Sequence, residues 1–345
     1  MSQPERKKRT VRDTVFRISG LLVIVASFVL ALLLMDFQAF RQNPLPIPDN
    51  GLRLVVEPGS GLKSIARRLE QQQVLSKPVY LVVLARYLRL DARIKAGEFQ
   101  LQPGITPERL LRQLTEGKVV QHTITLIEGE TFAQMMQRVS TDPVLVHKLE
   151  STDAETVMSA IGYPGLHPEG RFLPETYHFP RGTSDIDYLR RAFLDMEMFL
   201  QESWQERDKD LPLKTSYDAL ILASIVEKET GVVEERPMIA GVFVRRLRKG
   251  MRLQTDPTVI YGMGDSYQGD IRYRDLRRDT PYNTYTRYGL PPTPIAMPGK
   301  DAILAALHPA SGDALYFVAR GDGSHKFSST LKQHNSAVDR YQRKR

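Results

Sequence analysis

"DALILASIVEKET", Asp218 to Thr230, holds an apolar run that ends in two glutamates, Glu227 and Glu229. It reads as a helix. At helical spacing a residue neighbours those three, four and seven positions away. Glu229 therefore lies beside Val226, Ile225 and Leu222, all large and apolar, whereas Glu227 lies beside Ser224, Ala223 and Leu220, a more mixed face. If the large apolar stripe faces the core, Glu229 is carried toward it. Burial raises the pKa of a carboxyl and keeps it protonated near neutral pH, the state a general acid needs. The competing reading is a helix end with both glutamates solvated. The rest of the chain has to decide between them.

The chain has 345 residues, 41% of them hydrophobic, enough for two or three domains with cores of their own. Its net charge of +8 is partly local: residues 1–17 hold six Lys and Arg against Glu5 and Asp13, which accounts for half of it. The thin excess that remains argues against a nucleic-acid surface. The basic stretch precedes "ISGLLVIVASFVLALLLM", Ile18 to Met35, which carries no charge. At about 1.5 Å per residue this spans roughly 27 Å, close to a hydrocarbon core. It ends in Leu-Leu-Leu-Met-Asp-Phe, a poor cleavage site, so an uncleaved signal anchor is expected. The cations ahead of it hold the tail, 1–17, in the cytoplasm and send the bulk of the chain out. The expected location is the cell inner membrane, single-pass, with the remainder in the periplasm. There is no cysteine, which excludes a thiol nucleophile and a cysteine-type zinc site and leaves stability to core packing.

Beyond the anchor, 18–35, a proline-rich linker is expected over 36–50, centred on "RQNPLPIPDN". A first unit follows over 51–120: a strand at "LRLVVEP", a helix with Leu62, Ile65, Ala66 and Leu69 on one face, a second helix at "KPVYLVVLARYL", a strand at "AGEFQLQPG", and a helix capped by Thr106. "LVVEPGSGLKSIARRL" is partly echoed by "ITLIEGETFAQMMQRV", so 121–158 reads as a second βα unit or connector. "GLHPEGRFLPETYHFPRGTS" reads as an ordered loop. Helices are expected at "DYLRRAFLDMEMFLQESWQE" and at "RPMIAGVFVRRLRKG", the latter with Met238, Val242, Phe243 and Leu247 as its apolar stripe. After Gly250 come irregular segments, a strand at "LYFVAR", and a helix from about Ser329 to Arg345. No phosphate loop and no HExxH pair is present. The histidines, among them His325 and His334, lack metal-ligand spacing and read as structural or surface residues; no metal and no cofactor is expected.

Three downstream stretches are more polar and aromatic than a plain core requires. "MRLQTDPTVIYGMG" packs Gln254, Thr255, Asp256, Thr258 and Tyr261 close together; "TPYNTYTRYGLPPTPIAMPG" sets Asn283 and Tyr285 among further tyrosines; "HPASGDALYFVARGDGSHKFSSTLKQHN" follows. Aromatic faces beside amides and hydroxyls suit a sugar ring, whose apolar face stacks while its hydroxyls hydrogen-bond.

These three stretches, with "ASIVEKET" and "RLRKG" ahead of the first, resemble the signature blocks of the YceG-like family, the endolytic murein transglycosylases. "EGRFLPETY" resembles a further block, with Glu175 where aspartate is commoner in the family. The likeness covers residues 50–340. It implies an α+β fold: a single N-terminal transmembrane helix, a small LysM-like βα module over 51–120, then a mainly helical α+β catalytic domain over 159–345. It also implies that the essential acid is the second glutamate of the Glu-Lys-Glu-Thr stretch, here Glu229.

A lytic transglycosylase needs one carboxyl. That group protonates the leaving glycosidic oxygen, then accepts the proton of the C6 hydroxyl on the same N-acetylmuramyl ring, which closes onto C1 as a 1,6-anhydro end. Gln254, Asp256, Thr258, Tyr261, Asn283, Tyr285 and Glu175 are expected to bind the sugar, with Glu227 at the rim. Expected partners are peptidoglycan glycan strands, the inner membrane and peptidoglycan synthases of the penicillin-binding type, with a role in ending strand elongation. A muramidase that uses water, with Asp256 or Glu175 as its second carboxylate, is the alternative. A non-catalytic glycan-binding scaffold is the third reading.

Overall fold

The computed structural model describes residues 5–343, with side chains from Asp13 on. Residues 1–4 of the basic tail, the side chains of Arg6, Lys7, Lys8, Arg9 and Arg12, and Lys344 and Arg345, to which the expected terminal helix extended, lie outside the described residues. The chain divides into two compact units, residues 1–121 with 180–182, and residues 122–179 with 183–345.

The first unit starts with one long helix, α1 (Glu5–Gln42), whose stretch Asp13–Gln42 is long and apolar enough to cross a membrane. The helix runs past the point where a linker was expected. Its last turns pack on the unit: Phe37 and Phe40 meet the Tyr80 ring edge-on at 5.6 and 5.5 Å, and Arg41 pairs with Glu108 at 2.5 Å. Leu45 and Ile47 are buried, and the Leu45 N–H donates to the Ile105 carbonyl. The segment 36–50 is thus helix followed by packed extension; its apolar residues find a surface, which composition alone did not reveal.

The unit continues as β1 (Leu52–Val56), α2 (Leu62–Gln71), α3 (Pro78–Tyr87), β2 (Gly97–Leu101) and α4 (Pro107–Glu116). β1 and β2 pair antiparallel with Leu54 opposite Phe99. Alternation sends Leu54, Val56, Phe99 and Leu101 to one face, where they meet Leu62, Ile65, Ala66 and Leu69 of α2 and Leu110, Leu111 and Leu114 of α4.

The second unit comprises β3 (Gln121–Thr125), α5 (Phe132–Ser140), α6 (Ala154–Ile161), β4 (Thr176–Pro180), α7 (Asp185–Glu206), α8 (Ser216–Glu229), α9 (Arg236–Arg248), α10 (Asp256–Met263), α11 (Tyr273–Arg277), α12 (Lys300–Leu307), β5 (Tyr316–Ala319), β6 (His325–Ser328) and α13 (Leu331–Tyr341). Ile124, Phe132, Met135 and Val139 share a core with Phe172, Tyr188 and Phe193. The block read as a loop holds β4, which pairs with β3.

A second core surrounds α8. Every residue from Ala219 to Val226 is buried, because α7, α9 and α12 pack around the helix. A helix apolar on all sides belongs inside a domain. Its one polar residue there is satisfied: the Ser224 hydroxyl donates to the Ile221 carbonyl and accepts from the Ile295 N–H. On α9 the buried hydrophobic residues are Ile239, Ala240, Val242, Phe243 and Val244, and Met238 is exposed, so the expected stripe is rotated.

Candidate active site

The last turn of α8 fans three consecutive side chains into three environments, as a rotation of about 100° per residue requires. Glu227 meets Arg236 at 2.8 Å and accepts the Gly299 N–H at 3.0 Å, and both members of that ion pair are 6% exposed. It is a buried anchor, not a rim residue. Lys228 reaches the Gly129 carbonyl at 3.0 Å. Glu229 enters a cleft of about 510 Å³ lined also by Arg246, Gln254, Thr255, Asp256, Tyr285, Tyr316, His325 and His334.

Glu229 is half-buried, and its Oε1 accepts a hydrogen bond from the Thr255 hydroxyl. Burial pushes its carboxyl up to about 7; the Thr255 bond opposes this, the charge of Asp256 adds to it, and His325 and Arg246 pull it down. Near neutral pH the group is poised to give a proton and to take one back.

The wall opposite α8 is built by threonines. The Thr258 hydroxyl donates to the Thr255 carbonyl at 2.8 Å and lies 2.9 Å from the Thr284 hydroxyl, which accepts the Thr255 N–H at 3.1 Å. This network pins residues 254–258 to residues 283–285. Gln254 has φ of 51°, a left-handed conformation unusual for a residue with a side chain, and its N–H donates to the Thr284 carbonyl. The Tyr285 hydroxyl donates to Asp256 at 2.6 Å, and burial followed by that bond raises the phenol's pKa.

The residues expected to bind sugar therefore separate. Gln254, Asp256 and Tyr285 line the cleft. Thr258 is fully buried beneath it. Asn283 is 1% exposed; its amide donates to the carbonyls of Asp275, Leu276 and Arg278, and its Oδ1 accepts the Tyr285 N–H. It shapes the loop that presents Tyr285. The Tyr261 hydroxyl donates to Glu169 at 2.9 Å, away from the cleft lining. Glu175 is paired with Lys300 at the surface and does not reach the cleft.

Four residues that sequence reasoning passed over as site residues stand out. Arg246, 7% exposed, donates to the carbonyls of Leu253 and Leu315 and lies over the Tyr316 ring. His325 and His334 line the cleft rather than the surface. Glu169, the first residue of "EGRFLPETY", is buried, accepts the Phe132 N–H, and is pushed up to about 7 by burial. The following Gly170 needs its freedom: φ is 78°, and a Cβ would stand 2.6 Å from Pro294. Among the described residues no cluster of three or more His, Asp or Glu side chains is placed to hold a metal ion.

The profile of the YceG-like family matches residues 54–340. An endolytic murein transglycosylase of Bacillus subtilis is 31% identical over 300 residues, 82% of each chain. An endolytic murein transglycosylase of Streptococcus pneumoniae is 28% identical over 91% of this chain, which spans 64% of that protein's length. Among solved structures, a YceG-like protein of Listeria monocytogenes is similar with a TM-score of 0.51 at 30% identity, covering 84% of this chain and 99% of that one. With most of its length matched by that profile and by relatives of this similarity, the chain belongs to the YceG-like family.

Proposed function

We propose that this chain is a membrane-anchored endolytic peptidoglycan lytic transglycosylase, with Glu229 as its acid and base. The observation that carries the reading is the Glu229 carboxyl, set at a cleft otherwise lined by Gln254, Tyr285, Tyr316 and His325 and pushed up by burial to about 7, so that it both gives and takes a proton near neutral pH. The relatives named endolytic murein transglycosylases supply the substrate class.

In the first step Glu229 gives its proton to the oxygen that joins C1 of N-acetylmuramic acid to the next N-acetylglucosamine, and the C1–O bond breaks. In the second, the C6 hydroxyl of the same muramyl ring forms a bond to C1 and its proton returns to the Glu229 carboxylate. No water is consumed, and the new end is 1,6-anhydro-N-acetylmuramic acid. Tyr285, held by Asp256, and Gln254, held in its unusual backbone conformation, are among the lining residues that would meet a ring in the cleft.

The apolar stretch of α1 anchors the chain in the cell inner membrane, with the units beyond it in the periplasm. The β–α–α–β order of the first unit suits a small LysM-like glycan-binding module. Ending the elongation of nascent strands beside peptidoglycan synthases is the role that such an anchored endo-acting enzyme would serve.

A muramidase that uses water has one observation in its favour: Asp256 shares the cleft with Glu229. Glu175, at the surface, offers that reading nothing. Glu229→Gln tests the assignment of the acid. The amide keeps the shape of the neutral carboxyl but gives no proton, so glycan cleavage by the detergent-solubilised chain should fall by about 10²–10⁴. Activity within tenfold of wild type would remove Glu229 from the chemistry.

A further inference from the structure

Glu229 is not the only ionisable group in the cleft with an engineered-looking hold on it. His325 opens β6, and Glu235 ends a short 3₁₀ turn, Val233–Glu235, immediately before α9. Glu235 grips the histidine at two points: Oε2 lies 2.6 Å from Nδ1, and Oε1 accepts the His325 backbone N–H at 2.9 Å. Both side chains are 10% exposed. Phe317 of β5 stands against the ring edge-on, with centroids 5.5 Å apart. Ring position and tilt are therefore fixed before any ligand arrives.

The contact also places a proton. An ionised carboxylate only accepts hydrogen bonds, so the 2.6 Å contact places a proton on Nδ1. Nε2 is the ring's other polar atom. Among the described residues no protein group bonds it, and the ring belongs to the same cleft lining as Glu229. The short contact, the second grip on the backbone and the aromatic buttress are more than the pairing of β6 with β5 needs. They deliver one nitrogen to the wall of a cleft whose proposed ligand is rich in hydroxyls.

We infer that His325 is a substrate-positioning residue, oriented by Glu235, whose Nε2 hydrogen-bonds a hydroxyl of the glycan bound beside Glu229. The inference rests on the glycan-cleaving reading of the site and adds to it a fixed hydrogen-bonding atom that orients the ring whose bond Glu229 cuts.

The test uses two amides that mimic opposite edges of the imidazole. His325→Asn retains a donor at the Nδ1 position, hence the Glu235 bond, and lacks anything at Nε2. His325→Gln reaches the Nε2 position. In full-length detergent-solubilised protein, His325→Asn should lower kcat/KM on polymeric peptidoglycan by about tenfold, the range for one well-placed hydrogen bond, mainly through KM, with Tm within a few degrees of wild type. His325→Gln should recover part of the loss. A parallel binding measurement in the Glu229→Gln background needs no turnover: adding His325→Asn should weaken retention of purified glycan strands by a similar factor. Wild-type kcat/KM and retention in His325→Asn would overturn the inference, as would losses in all His325 variants that follow Tm alone. The two readings fail separately. Uncut glycan with wild-type Glu229 counts against the enzyme, while the binding arm still reports on His325.

Discussion

Replacing Glu229 by glutamine should make the protein more stable at alkaline pH, by an amount that follows from the carboxyl's surroundings. Burial pushes the folded carboxyl up to about 7 from its ordinary 4.5. Below 4.5 the group is protonated in folded and unfolded chains alike and adds nothing to the pH dependence. Between 4.5 and about 7 the unfolded chain loses this proton while the folded chain keeps it, so the folded state binds more protons and stability falls as pH rises. Above about 7 both forms are ionised and the loss stays constant. Each pH unit in that window is worth about 1.4 kcal/mol, giving at most about 3 kcal/mol, and contact with cleft water reduces it to about 1–3 kcal/mol. The amide carries no such proton. Glu229→Gln should match wild type at pH near 4.5 and exceed it by that margin at about pH 8. Urea unfolding of the solubilised full chain across this range, followed by circular dichroism, gives the difference directly. A gap that does not change with pH would refute burial as the source of the raised pKa. A variant less stable than wild type at alkaline pH would mean that the site stabilises the anion.

Thr255→Val removes a hydrogen bond that holds the Glu229 carboxyl down, so the alkaline limb of kcat/KM against pH should move upward; a downward move would contradict the bond's sign. Asn283→Ala strips four hydrogen bonds from a buried amide and should cost about 2–4 kcal/mol in unfolding experiments, with activity falling alongside stability; an activity loss in a protein of unchanged Tm would restore Asn283 as a sugar contact. Glu227→Gln breaks a buried ion pair whose arginine keeps Glu128 at 3.4 Å, so stability should drop by about 1–3 kcal/mol while the cleavage rate at low temperature stays within tenfold of wild type.

Glu229 could be singled out from its helix neighbours because Leu222, Ile225 and Val226 form a face no surface helix would show. The same geometry misplaced Glu227, because its partners lie beyond the helix: Arg236 on α9 and Gly299 ahead of α12. α12 itself, "KDAILAAL", is short and of small apolar residues, and only its packing on α8 reveals it as core. Asparagine, threonine and tyrosine were read as sugar contacts on residue type, yet the same types also tie loops together. Asn283 and Thr258 do the latter, one through backbone carbonyls and the other through neighbouring threonines. His325 was read as structural or surface, because its partner Glu235 is 90 positions away and only the fold brings them to 2.6 Å. The end of α1 was read as a linker from its prolines, which begin only after Phe37 and Phe40 have packed on Tyr80.

The chemistry at Glu229 is decided by the new ends that it leaves. Polymeric peptidoglycan digested by the full-length protein, with products separated and weighed by mass spectrometry, distinguishes intramolecular closure from attack by water. The C6 hydroxyl is tethered to the reacting ring, and such groups reach effective molarities of about 10⁵ M or more when well oriented. Internal cuts should therefore give strands ending in 1,6-anhydro-N-acetylmuramic acid, each one water lighter than a hydrolytic product. Ordinary reducing ends at the same cut sites would contradict the lytic mechanism and make Asp256 the second carboxylate of a muramidase.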